Sequence, residues 1–137
     1  MFKKILLPID LTDRHEQALS AAADLAQQSG GEVLLLHVVE VISGLTEEEE
    51  FYGRLERIAR KHLARMSERL AGQQVAASVE VLVGHRGREI VRYAQESAAD
   101  LMILTAPRID PDTVSVGLGS MGYKVGIFAP CPVLLVR

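Results

Sequence analysis

Apolar residues recur along this chain with two alternating periods. Ile5-Leu6-Leu7-Pro8-Ile9 is a short, almost wholly apolar run, the pattern of a strand buried on both faces. Ala18, Leu19, Ala22, Leu25 and Ala26 then recur at i, i+1, i+4, i+7 and i+8, one stripe of an amphipathic helix. Thr12 or Asp13 is placed to cap that helix, with Asp13-x-x-Glu16 at capping-box spacing, and Gly30-Gly31 supplies a left-handed stop. Val33-Leu34-Leu35-Leu36-His37-Val38-Val39 is a second buried strand. A longer helix follows: Thr46-x-x-Glu49 is a capping box, and the glutamates at 47–50 put negative charge where the helix dipole favours it. Phe51, Leu55, Ile58, Ala59, Met66 and Leu70 supply its apolar face as far as Gly72.

The second half repeats the alternation. Val75, Ala77, Val79, Val81 and Val83 alternate as a strand does. A helix is expected over about residues 89–97, buried through Ile90, Val91 and Ala94. Leu101-Met102-Ile103-Leu104 is a fourth strand, residues 120–128 a last helix, and Val133-Leu134-Leu135-Val136 a fifth strand. The order is βαβαβαβαβ, with no internal repeat and no linker. It predicts an α/β three-layer sandwich, a parallel sheet with helices on both faces. Ligands of such sheets bind beyond the carboxyl ends of the strands, at the topological switch point. The chemistry is therefore to be sought in residues 10–13, 38–46, 84–87 and 105–120.

Composition narrows the class. The 137 residues fit one domain, 1–137, and are 48% hydrophobic and 24% charged, enough apolar surface to exclude a disordered chain. The formal charge of −3 gives no electrostatic footprint for nucleic acid. A single cysteine makes no internal disulfide. No apolar run approaches the roughly 20 residues of a membrane span, and Pro8 and Asp10 come too early for a secretory signal. A cytoplasmic location is expected.

Few residues stand out chemically. His15, His37, His62 and His85 lie 22, 25 and 23 apart, with no helical metal-ligand spacing. His37, inside an apolar strand, reads as a hydrogen-bonded core histidine, and Cys131, between two prolines, as a packing thiol. There is no G-x-S-x-G elbow. Asp10, at the end of the first strand, either caps the following helix or binds a ligand. Gly117-x-Gly119-x-x-Gly122 matches a dinucleotide fingerprint formally, but it lies after the fourth strand rather than the first. Two readings of that loop stand side by side. Its glycines, Ser120 and Arg108 form an anion cradle at a helix N-terminus, or they form a glycine-eased turn with a serine cap. A response-regulator receiver is excluded: Gly84-His85 stands where its phosphoacceptor aspartate is needed, and no lysine follows the fifth strand. Flavodoxin is excluded because the loop after the first strand has one threonine and no glycine.

Lys3-Lys4-Ile5-Leu6-Leu7-Pro8-Ile9-Asp10, Leu35-Leu36-His37-Val38-Val39, Ala99-Asp100-Leu101-Met102-Ile103, Leu118-Gly119-Ser120 and Ala129-Pro130-Cys131-Pro132-Val133-Leu134-Leu135-Val136-Arg137 together resemble the universal stress protein family from end to end. The resemblance implies a parallel sheet in the order 3-2-1-4-5, a homodimer, and in many members ATP bound by G-x2-G-x9-G-(S/T). Asp10 resembles the family's strand-one aspartate on the adenosine side, Val38 the residue whose backbone meets adenine, and Gly119 and Ser120 the closing G-(S/T). The opening glycines fall on Thr105 and Arg108, with ten residues rather than nine before Gly119. Pro111-Asp112 with Leu118-Gly119-Ser120 is similar to a variant in which a non-glycine loop serves nucleotide, and Arg108 then replaces backbone amides. Pro8, Ile9, Ala106 and Met121 complete the implied pocket.

The function implied is a stress-associated regulator that holds ATP or AMP, with or without magnesium, and is not an enzyme. The alternatives are a dimeric interaction module without nucleotide, and a slow ATPase, against which stands the lack of a G-x-x-x-x-G-K-(S/T) loop. In the implied order the fifth strand is an edge, so Val133, Leu134, Leu135 and Val136 are expected to pair with a second copy.

Overall fold

The computed structural model describes residues 1–41, 49–106 and 121–137. The strands β1 (Lys4–Pro8), β2 (Glu32–Glu40), β3 (Ala76–Gly84), β4 (Leu101–Thr105) and β5 (Val133–Val136) form one sheet in the order β3-β2-β1-β4-β5. Every neighbouring pair is parallel. Four helices connect them among the described residues: α1 (Glu16–Ser29), α2 (Glu49–Gly72), α3 (Arg86–Glu96) and α4 (Met121–Phe128).

The period-two alternation of the strands divides the core into two layers. Ile5, Leu7, Val33, Leu35, Leu101 and Ile103 face α1 and α2, whereas Leu6, Leu34, Leu36, Val38, Met102 and Leu104 face α3 and α4. The inward stripe of α1 is mostly alanine, Ala18, Ala22, Ala23 and Ala26 with Leu19, which lets its backbone lie close to the central strand. β1 and β4, buried on both faces, are the continuous apolar runs of the sequence.

Several local expectations change. The capping box at Asp13 does not form: His15 occupies the N-cap of α1 without a side-chain cap bond. The Thr12 amide and hydroxyl turn to the Asp10 carboxylate instead, and the Glu16 carboxylate pairs with Arg69 of α2 through two 2.7 Å bonds. On α2 the buried stripe is Tyr52, Ala59, Leu63, Met66 and Leu70, while Phe51 and Ile58 are exposed. The longer helix fixes its own phase on the sheet, and those two residues fall on the rim. Thr46 lies outside the described residues. α3 starts three residues earlier than expected, at Arg86.

The two glycines after α1 do different work. Gly30 takes the left-handed cap at φ 70°, as the sequence predicts. At Gly31 a Cβ would lie 2.6 Å from the Phe2 carbonyl oxygen and 2.9 Å from the Lys3 Cα. That position is set by the close passage of the chain entering β1, not by helix termination.

Candidate functional site

The strand order reverses its winding between β1 and β4, so their carboxyl ends flank the switch-point crevice. The chain leaving β1 places Asp10 there, and Thr105 ends β4 beside it. A buried histidine joins the two. His15, 4% exposed, sets Nε2 at 2.7 Å from Asp10 Oδ1 and Nδ1 at 2.7 Å from Thr105 Oγ1. A carboxylate only accepts, so Nε2 carries a proton toward Asp10, and the Thr105 hydroxyl is the hydrogen-bond partner of Nδ1. The Asp10 amide also lies 3.2 Å from Nε2, but the shorter carboxylate contact decides that Nε2 is protonated.

Asp10 is the most heavily contacted side chain of the site. Its Oδ1 accepts from the Thr12 amide (3.0 Å), the Thr12 hydroxyl and His15, while Oδ2 faces Arg14 Nε at 3.0 Å and Nη2 at 2.8 Å. Partial burial disfavours the charge, but the bonds from the Thr12 side chain, His15 and the Thr12 amide outweigh it. The carboxyl is held well below the usual carboxylate range. Of the two readings of Asp10, it does not cap α1 directly; it organises the loop that precedes it.

The crevice has a second polar feature on its β2 side. Ile9 N–H donates to Leu36 O at 2.8 Å, which turns the backbone groups of Leu36, and two residues on of Val38, toward β1. In a continuing ladder Val38 N–H would donate to Ile9 O. Instead His37 Nδ1–H donates to that carbonyl, at 2.8 Å, and the β1–β2 pairing ends at Pro8 and Leu36. Val38 therefore presents one N–H and one C=O that the ladder among the described residues does not use. His37 is half-buried and hydrogen-bonded, as its strand position predicts, and desolvation pushes its pKa down.

The remaining expected residues divide clearly. Pro8 and Ile9 are buried at the end of β1, and Ala106 joins β4 to β5 by donating to Val136 O at 2.6 Å. Met121 opens α4; its side chain, and all of Arg108, Gly119 and Ser120, lie outside the described residues. His15 and Arg14 are the contributors that sequence reading missed. No spacing rule flags His15, because one of its partners is 90 residues away. Cys131 is half-buried against the second core layer, and desolvation, with Asp100 nearby, raises its pKa. Among the described residues no cluster of three His, Cys, Asp or Glu could hold a metal ion, and no helix is long and apolar enough to cross a membrane.

The model of the universal stress protein family matches residues 1–137. The chain is 32% identical over 149 residues to universal stress protein YxiE of Bacillus subtilis, with all of both chains covered. It is 33% identical over 138 residues to a universal stress protein of Thermus aquaticus, again over the whole of both. Among solved structures, the hypothetical protein MJ0577 superposes with a TM-score of 0.79 at 26% identity, over 99% of this chain and 96% of that one. Two more distant structures share the fold. One is a universal stress protein in complex with cAMP (18% identity, TM-score 0.72, 98% and 96% covered). The other is the Archaeoglobus fulgidus universal stress protein in complex with dAMP (22%, TM-score 0.73, 100% of both).

Proposed function

The chain belongs to the universal stress protein family, and from that premise we propose that it is a stress-associated regulatory protein that binds an adenine nucleotide in the crevice between β1 and β4, without catalytic turnover. The observation that carries the reading is the open backbone edge at Val38. One N–H and one C=O on the same strand edge match the acceptor and donor that adenine offers side by side on its Watson–Crick edge. Asp10 would accept from a ribose hydroxyl, and Arg108, Gly119 and Ser120, which lie outside the described residues, are the phosphate contacts that the family resemblance implies. The two related proteins that hold cAMP and dAMP share adenine on a 5′-phosphorylated pentose, which supports that unit as the common ligand element. ATP and AMP both contain it.

The same reading includes a homodimer through β5. Leu135 is 59% exposed and Phe128 of α4 is 70% exposed, an apolar surface on the β5 side of the sheet. Pairing two β5 strands would satisfy the open backbone edge and cover it.

A second reading, a nucleotide-free interaction module, is favoured by one fact: the Asp10 carboxylate is already occupied by its own loop. Acid extraction of the purified protein followed by chromatography for adenine nucleotides, with calorimetric titration of AMP and ATP, separates the two. Binding that Asp10→Ala weakens by about 1–3 kcal/mol, with the circular dichroism spectrum unchanged, supports the nucleotide reading. Absence of nucleotide from the extract together with no heat of binding overturns it.

A further inference from the structure

An ionised carboxylate offers about four lone-pair sites. That of Asp10 faces five donor groups: the Thr12 amide, the Thr12 hydroxyl, His15 Nε2, and Arg14 Nε and Nη2. A ribose hydroxyl can donate to Asp10 only by displacing one of them. Thr12 is two residues along the chain, and both its donors are fixed by the turn they make. His15 is 4% exposed and anchored at its other nitrogen by Thr105. Arg14 differs from both: its side chain is 44% exposed, and Nε and Nη2 share the single oxygen Oδ2. It is the donor that yields.

Resting on the reading of Asp10 as the ribose contact, we propose that Arg14 sets the preference of the site for a phosphorylated over an unphosphorylated nucleoside. A hydroxyl arriving at Oδ2 turns the guanidinium off the carboxylate and leaves it at the mouth of the crevice, a side chain's length from the ribose contact. A nucleoside brings no anion to receive it, so the lost ion pair counts against binding. A nucleotide brings a phosphate, which accepts the planar N–H fork two bonds at a time. Arg14 thus blocks the nucleoside and is satisfied by the nucleotide. The discrimination is modest, because an exposed ion pair contributes little.

The test is calorimetric titration of the full chain with adenosine and with AMP, for wild type, Arg14→Ala, Arg14→Lys and Asp10→Asn. Arg14 is exposed and holds no buried group, so both substitutions leave the core untouched. Arg14→Ala is expected to bind adenosine about two- to fivefold more tightly and AMP more weakly, lowering the AMP-to-adenosine preference by about fivefold or more. Arg14→Lys, a point charge without the fork, falls between. An AMP-to-adenosine ratio in Arg14→Ala within twofold of wild type overturns the proposal, provided that Asp10→Asn weakens both ligands. If Asp10→Asn alters neither, Asp10 is not the ribose contact and the role of Arg14 fails with it; if wild type binds neither, the nucleotide reading itself fails.

Discussion

His15 Nδ1 lies 2.7 Å from Thr105 Oγ1, so one imidazole ties the loop after β1 to the end of β4 across the switch-point crevice. The pair is separated by 90 residues in sequence and is closed by the sheet alone. His15→Ala is expected to lower stability by about 2–3 kcal/mol, because it leaves the Thr105 hydroxyl and one Asp10 lone pair without their donor or acceptor. Thr105→Val should cost about 1–2 kcal/mol by stranding Nδ1. Urea denaturation of both single variants and the double variant measures the coupling, expected at about 1 kcal/mol. Additive losses would show that the two side chains do not interact.

The Asp10 carboxyl titrates well below the usual range in the folded chain, so its ionised form stabilises the fold. The unfolded carboxyl has a pKa of about 3.9. A depressed carboxyl contributes in full above that value, and the contribution is lost as pH falls below it toward the lower folded pKa. Asp10→Asn should therefore be less stable than wild type at pH 7, and the gap should narrow as pH is taken below about 4. A gap independent of pH between 7 and 3 would refute it.

Gly30 and Gly31 are expected to differ as alanine. Gly30→Ala places a side chain at φ 70° and should cost about 1 kcal/mol. Gly31→Ala drives a Cβ to 2.6 Å from the Phe2 carbonyl, against backbone that cannot step aside, and should cost about 3 kcal/mol. Thermal or urea unfolding of the two variants ranks them directly; the reverse order would contradict the packing described.

The carbonyls of Pro132, just before β5, and of Val136 accept from Met102 of β4 and from Ala106 just after it, so the even-numbered backbone groups of β5 serve the sheet. The N–H of Leu135 points to the open edge. Leu135→Pro deletes that outward donor and leaves the bonds to β4 in place. Light scattering at micromolar concentration is expected to give a dimer for wild type and a monomer for this variant. A wild-type monomer, or a variant that stays dimeric, removes β5 from the interface.

How far the site was legible follows from what kind of signal each residue carries. Asp10 stands out because a carboxylate just past a buried strand either caps the following helix or binds a ligand. Arg14 and His15, in the same loop, carried no such mark: one reads as a surface cation, the other as an isolated histidine. Their roles come from the contacts they make, one at i+4 and one at i+5 from Asp10, in a loop whose course no periodicity describes. Val38 was named through a family resemblance, but the reason its backbone is open is the His37 bond to Ile9, a tertiary contact between neighbouring strands.

The sequence by itself determined the elements, their alternation and the two-layered core, because hydrophobic period is a local property written in consecutive residues. It placed the strand runs within a residue or two and found the left-handed cap at Gly30. Only the tertiary structure decided the phase of α2, which exposes Phe51 and Ile58, and the need for a bare backbone at Gly31 where the chain entering β1 passes. It alone brought Thr105 to His15 and filled the carboxylate of Asp10. Burial follows the period of a single segment. A hydrogen bond between segments exists only once strand order has set them side by side.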